Sequence, residues 1–280
     1  MDWHRALVLP AGPARSAATP VIVRKGALAD NVPHRDLRLT TGHSLYVDDV
    51  LIPVEFLINH RSILWDNAAR VTEVCHIELP SHEVLLAEGA AVESYRDGDN
   101  RRLFQNVDPA WDTDFAPPRY APIIVKGPML EAAWHRLAQC ANATATMVTD
   151  DPDLHLLVDG ARVDATLHGR GVWQFRITET PRCIQIVSRT GIPAALGLGP
   201  DQRRLGVAVR RIVVSEGPGM RLVVAKDTRL IEGFHDFEPA ERWRWTNGAA
   251  TAPASLFADL EGAFTLELQT DSTAHYAAAA

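Results

Sequence analysis

At 280 residues, with 46% hydrophobic and 22% charged side chains, the chain is long enough for two ordinary domains or one large β domain. A formal net charge of −7 argues against a nucleic-acid surface, which needs clustered Lys and Arg. Eighteen prolines and eighteen glycines suit short strands and turns better than a helical bundle. No stretch approaches the ~20 apolar residues of a membrane helix, so no membrane span is expected. The opening MDWHRALVLPAGPARSAATP holds no apolar run long enough for a secretory leader. The expectation is a soluble protein whose compartment stays open. Cys75, Cys140 and Cys183 are odd in number and widely spaced, which gives no disulfide framework and no CxxC metal site. Buried free thiols are expected.

Residues 1–107 read as short strands divided by turns. Val21 to Arg24 is a brief apolar run, and Asp36 to Leu39 alternates leucine with polar partners. Ser44 to Val47 and Val50 to Ile52 flank Asp48-Asp49, a tight hairpin turn. Pro53 stops or bends the second of these strands. Val71 to Leu79 alternates again, Pro80-Ser81 turns the chain, and Val84 to Ala87 is an apolar run closed by Gly89. Residues 108–127, with Pro109 and Pro117-Pro118, read as an inter-domain linker. A connecting helix is predicted over 128–142. Pro128 suits its first turn, Leu130, Ala133, Trp134, Leu137 and Ala141 recur at helical spacing, and Asn142 is its stop. From 150 to 276 the pattern is β once more. Leu154 to Val158 and Ala161 to Leu167 flank Asp159-Gly160, the strongest hairpin signal in the chain. Further strands are predicted at Trp173 to Ile177, Ile184 to Val187, Leu205 to Val214, Arg221 to Val224 and Phe264 to Leu268. Regular short strands of this kind predict a β-sandwich or jelly-roll-like domain.

Two histidines stand out in the first domain. Thr40-x-x-His43 sits at the mouth of a predicted hairpin, where the threonine hydroxyl can fix one ring nitrogen while the other acts on a peptide amide. His82 follows a turn and can serve as acid or base at the same bond. Such groups are typically worth ~10²–10⁴ in rate, and they need a nucleophile to act with. Nearby the sequence offers only Cys75, Ser44 and Ser81. His4, His34, His43, His60, His76 and His82 all fall within residues 1–107, yet no pair has the spacing of a known ligand motif. Neither a metal nor a cofactor is expected.

The phrases PVIVRKGALADNVPHRDL, LTTGHSLYVDDVLIPVEFLIN and VCHIELPSHEVLLAEGAAVESYRDGDNRRLFQN, in that order and spacing, are similar to the bacterial kind of Hedgehog/intein (Hint) self-processing domain. The resemblance runs from about Trp3 to Asn106. It implies a partial, horseshoe-like all-β Hint domain over 1–107. It also implies attack by a side-chain thiol on the preceding carbonyl, an N-to-S acyl shift that yields a thioester. Thr40 and His43 fall on the family's Thr-x-x-His, which activates the scissile amide, and His82 falls near the family's late histidine. The family's Cys-bearing opening segment would lie upstream of Trp3, and Glu93 and Ser94 stand where an intein would carry a cyclising Asn. The resemblance therefore implies autoprocessing that is incomplete or inactive in this chain, with its own upstream segment as the partner of a longer form.

In the second domain, GFHDFEPAERWRWTNGAATAP gathers aromatic and planar polar side chains. Trp243, Trp245 and Arg242 are candidate ligand-binding residues for a carbohydrate or a surface protein. Alternation on one strand sends both tryptophans to the same face, which equally suits the core of a sandwich. A non-catalytic β-rich binding or cell-surface-associated module is accordingly the alternative to autoprocessing.

Overall fold

Strands dominate the computed structural model, which describes residues 2–10, 19–69, 71–97, 117–141, 148–169, 171–271 and 275–277. The chain divides into two units, Met1–Thr144 with Gly197–Gln202, and Ala145–Leu196 with Arg203–Ala280.

The first unit contains β1 (Asp2–Pro10), β2 (Val21–Val23), β3 (Leu37–Leu39), β4 (Ser44–Val47), β5 (Val50–Pro53), a 3-10 turn (Val54–Leu57), β6 (Ile63–Trp65), β7 (Val71–Glu78), β8 (Val84–Ala87) and β9 (Ala90–Glu93). They form three antiparallel sheets, β1-β7, β3-β2-β6 and β5-β4-β9-β8. Every residue of β2 and β5 is buried, as continuous apolar runs require. With Leu45, Val54, Leu57, Ile63 and Val92 they build one core. The Asp48-Asp49 hairpin forms as expected, with φ of 49° and 64°; Glu88 and Gly89 turn β8 into β9 with φ of 52° and 84°. Two successive left-handed residues match the twist of the strands they join.

Strand β1 was not legible in the sequence. It pairs with β7 in the register Trp3↔Ile77, His4↔His76 and Arg5↔Cys75, with an irregularity after Ala6. MDWHRALVLP has no clean alternation of its own, and its pairing partner lies far down the chain. Pro109 and its neighbours up to residue 116 lie outside the described residues. From Pro117 onward the stretch read as linker is built into the first unit. Leu51 N–H donates to the Pro122 carbonyl at 2.9 Å, and Ile124 N–H donates to the Leu51 carbonyl at 2.9 Å.

Helix α1 (Pro128–Cys140) follows, with Leu130, Ala133, Trp134 and Leu137 buried as their spacing predicts. Three of these join the first unit's core, and the Trp134 indole N–H donates to the Ile58 carbonyl at 2.9 Å. The helix thus belongs to that core, because its apolar stripe is covered there. Ala141 caps it, and Asn142 lies outside the described residues. The expectation of buried thiols is corrected: Cys75 and Cys140 are exposed and Cys183 is half-buried. Cys75 lies on the two-stranded β1-β7 sheet, and Cys140 is the last residue of α1.

The second unit opens with β10 (Val148–Thr149), which pairs with β22 (Tyr276–Ala277). One sheet has the order β12-β11-β15-β20, from β11 (His155–Val158), β12 (Ala161–Asp164), β15 (Ile184–Val187) and β20 (Ala249–Thr251). The other runs β13-β14-β21-β16-β19-β18, from β13 (Leu167–Gly169), β14 (Val172–Ile177), β16 (Ala208–Glu216), β18 (Phe234–Glu238), β19 (Trp243–Thr246) and β21 (Phe264–Asp271), with β17 (Gly219–Val224) also paired to β16. A short α2 (Pro193–Leu196) interrupts the strands. Leu156, Ile184 and Ile186 from the first sheet meet Phe175, Ile212, Val214 and Leu266 from the second, which is the layered core of a β-sandwich. Asp159 and Gly160 make the expected turn with φ of 49° and 87°, and the Asp159 carboxylate accepts the N–H groups of Arg182 and Cys183. Among the described residues no helix is long and apolar enough to cross a membrane.

Candidate active site

Thr40 to His43 is a closed turn. The His43 N–H donates to the Thr40 carbonyl at 3.0 Å, and the His43 carbonyl accepts Val54 N–H at 3.0 Å. Main-chain bonds on both sides of the residue therefore fix where its ring begins. The pairing of Leu45 with Val92 brings the start of β4 beside the end of β9, where Glu93 stands. Oε1 of Glu93 accepts the Ser44 N–H at 2.6 Å, and Oε2 faces His82 Nε2 at 3.3 Å.

His82 is held from its other side as well. Its Nδ1 accepts the Tyr120 N–H at 2.9 Å, so the ring proton resides on Nε2 and points at Glu93. The His82 side chain is fully buried and that of Glu93 is 12% exposed. The Ser44 hydroxyl, buried as well, has no hydrogen-bond partner of good geometry among the described residues. The ring of His76, on β7, stacks on that of His43 with centroids 5.5 Å apart and planes at 25°. The Tyr95 ring is tilted against that of His76, with centroids 5.4 Å apart.

A cavity of about 650 Å³ opens onto these groups. Thr40, His43, Cys75, His76 and Glu93 line it together with the polar and charged Arg38, Asp66, Thr72 and Glu73, and Leu37, Leu39, Val74, Leu85 and Val92 belong to its apolar wall. Its volume is that of an ordinary ligand pocket. Burial lowers the His43 ring below its ordinary value, although the Glu93 carboxylate and main chain pull it upward; His82 adds to the lowering. Burial pushes Glu93 upward, yet its hydrogen bonds from His82 and Ser44, with the charge of His43, outweigh this and leave it below the usual carboxylate range. At neutral pH the cavity therefore presents a neutral imidazole beside a carboxylate. That pair can take a proton and stabilise the imidazolium that results.

Of the residues singled out in the sequence, Thr40 and His43 border the cavity. His82 stands behind Glu93 and reaches the site through that carboxylate. Sequence reasoning missed Glu93 and His76 as members of the site. For the first, the sequence offers only a carboxylate at the end of the short strand Ala90–Glu93, whose burial alternates, and the pairing of β9 with β4 is what places it. For the second it offers no signal, since the stack on His43 depends on which strand lies opposite the turn. Among the described residues no group of three or more His, Cys, Asp or Glu is arranged to hold a metal ion.

In the second unit, Trp243 and Trp245 sit on β19 with ring centroids 6.0 Å apart. Trp245 is buried against Leu205 and Ala208. The Trp243 indole N–H donates to Glu238 at 2.7 Å, and the Arg210 guanidinium lies 5.3 Å from its ring centre. Arg242 occupies the turn before β19 with φ of 64°. The two tryptophans thus find most of their partners within their own sheet.

No curated protein and no solved structure matches the chain. The family model for the Hint domain matches residues 3–99, the stretch that carries Thr40, His43, His76, His82 and Glu93. That stretch of the first unit is thus similar to the Hint domain family.

Proposed function

We propose that the cavity of the first unit serves an N-to-S acyl shift, the first step of Hint-type autoprocessing. A thiol placed N-terminal to the domain gives its proton to His43, and its sulfur bonds to the preceding carbonyl carbon. The C–N bond breaks, and the leaving nitrogen takes the proton back from His43 as the thioester forms. Glu93 stabilises the transient imidazolium and attracts the amine that is released. His82 holds Glu93 in place as a positioning residue, and Thr40 anchors the turn that carries His43.

The observation that carries this reading is a neutral imidazole bordering a cavity beside a carboxylate, within the stretch that matches the Hint family. The first cysteine of the sequence is Cys75, and the reading takes its thiol from a cysteine N-terminal to the domain. The test is intact mass of the product of the complete reading frame, with and without added thiol. Thiol-dependent scission ahead of a cysteine, lost in His43→Ala, is the expected result. Scission that persists in His43→Ala removes the imidazole from the mechanism.

A further inference from the structure

The main chain of His43 is bonded on both sides, through the Thr40 carbonyl and the Val54 N–H, but this alone does not orient its ring. The last torsion of a histidine side chain is broad, so contacts must set the plane of the ring. The Glu93 main chain meets the ring at its edge, because a ring nitrogen bonds in its own plane. An edge contact leaves the ring free to tip about that line. His76 supplies a contact of the other kind: its ring lies on the face of His43, with centroids 5.5 Å apart and planes at 25°. That is offset stacking at an ordinary distance for aromatic pairs. Both residues border the cavity, so the plane set by the stack decides how a His43 nitrogen meets an occupant.

His76 is itself held. It lies on β7, whose pairing with β1 sets His4 opposite it. The Tyr95 ring meets that of His76 at 5.4 Å and 50°. Tyr95 is 5% exposed; its N–H donates to the Ile77 carbonyl at 2.7 Å and its hydroxyl to Asp97 at 3.1 Å. His43, His76 and Tyr95 are thus linked ring to ring, and Tyr95 is tied to β7. We infer that His76 is a positioning residue of the acyl shift, which holds the plane of the His43 ring through its face. The role rests on the acyl-shift reading; the contact does not. Stacking turns the two faces together and leaves the ring nitrogens out of line for a hydrogen bond, so the two imidazoles exchange no proton directly. Displacing a reacting group by ~1 Å can cost ~10²-fold in rate, so a loosened His43 ring should be visible in the kinetics.

Two variants separate the ring face from the ring nitrogens. His76→Phe keeps a face and removes the nitrogens; His76→Leu keeps an apolar side chain and removes the face. The first measurement is ring-nitrogen NMR of the histidine-labelled chain at about pH 8, where His43 is neutral, with His43→Asn to assign its signals. Wild type and His76→Phe should show His43 in one tautomer, with two well-separated nitrogen resonances, and His76→Leu should show them averaged toward each other. The second is the rate of thiol-dependent scission of the complete reading-frame product. His76→Leu should be at least about tenfold slower than wild type, and His76→Phe within about threefold of it. The inference is overturned if His76→Leu keeps the wild-type His43 signals or the wild-type rate. It is equally overturned if His76→Phe is as slow as His76→Leu, which would assign the work to the nitrogens of His76. Urea midpoints check that each variant folds, and His76→Gln, of similar length and without a ring, replaces His76→Leu if that chain does not. The two readings fail separately. Absence of scission in wild type removes the acyl shift, while the His43 signals still decide whether His76 holds the ring.

Discussion

His43 and Glu93 share a direction of shift and differ in the pH interval where it matters. Both have folded values below their ordinary ones of 6.5 and 4.5. The unfolded chain then binds more protons across each interval, so stability rises with pH through both. The contribution of His43 is complete above about pH 6.5 and declines as pH falls toward its folded value. That of Glu93 is complete above about pH 4.5 and is lost as pH falls through its own folded value. Urea midpoints measured against pH should fall in two stages, with His43→Asn flattening the upper stage and Glu93→Gln the lower. An unchanged upper limb in His43→Asn would mean that the ring is not held neutral by burial. A different cost attaches to Trp134, which is fully buried and hydrogen-bonded to Ile58. Trp134→Ala should destabilise the first unit by about 3–5 kcal/mol in urea titrations.

Turns and strand edges decide much of what the sequence could and could not disclose. The Asp48-Asp49 and Asp159-Gly160 hairpins were legible because left-handed residue pairs need particular side chains, and that need is local. The α1 stripe was legible for the same reason, since Leu130, Ala133, Trp134 and Leu137 fall on one helical face. Strand β1 and the His43–His76 stack were not, because each depends on a partner far away in the chain. Thr40 and His43 could be named from one turn, whereas Glu93 required knowing that β9 lies beside β4. Gly233 illustrates a local constraint that sequence alone leaves unmarked. It has φ of 78°, and an added Cβ would collide with the Ala249 carbonyl. Gly233→Ala should cost the second unit about 1–3 kcal/mol, measurable as a lowered thermal midpoint.

Over the whole molecule, two separate apolar cores, one in each unit, imply two cooperative transitions on heating. Trp134→Ala should lower the transition of the first unit and Gly233→Ala that of the second; a shift of both by either variant would contradict independent cores. The site belongs wholly to the first unit, so its chemistry should not need the sandwich fold to be intact. Mass spectrometry of the complete reading-frame product, wild type against His43→Ala and incubated with thiol, tests the acyl-shift account most directly. The account requires wild type to separate into two fragments ahead of a cysteine while His43→Ala stays whole. A wild-type product that remains intact under thiol would contradict it.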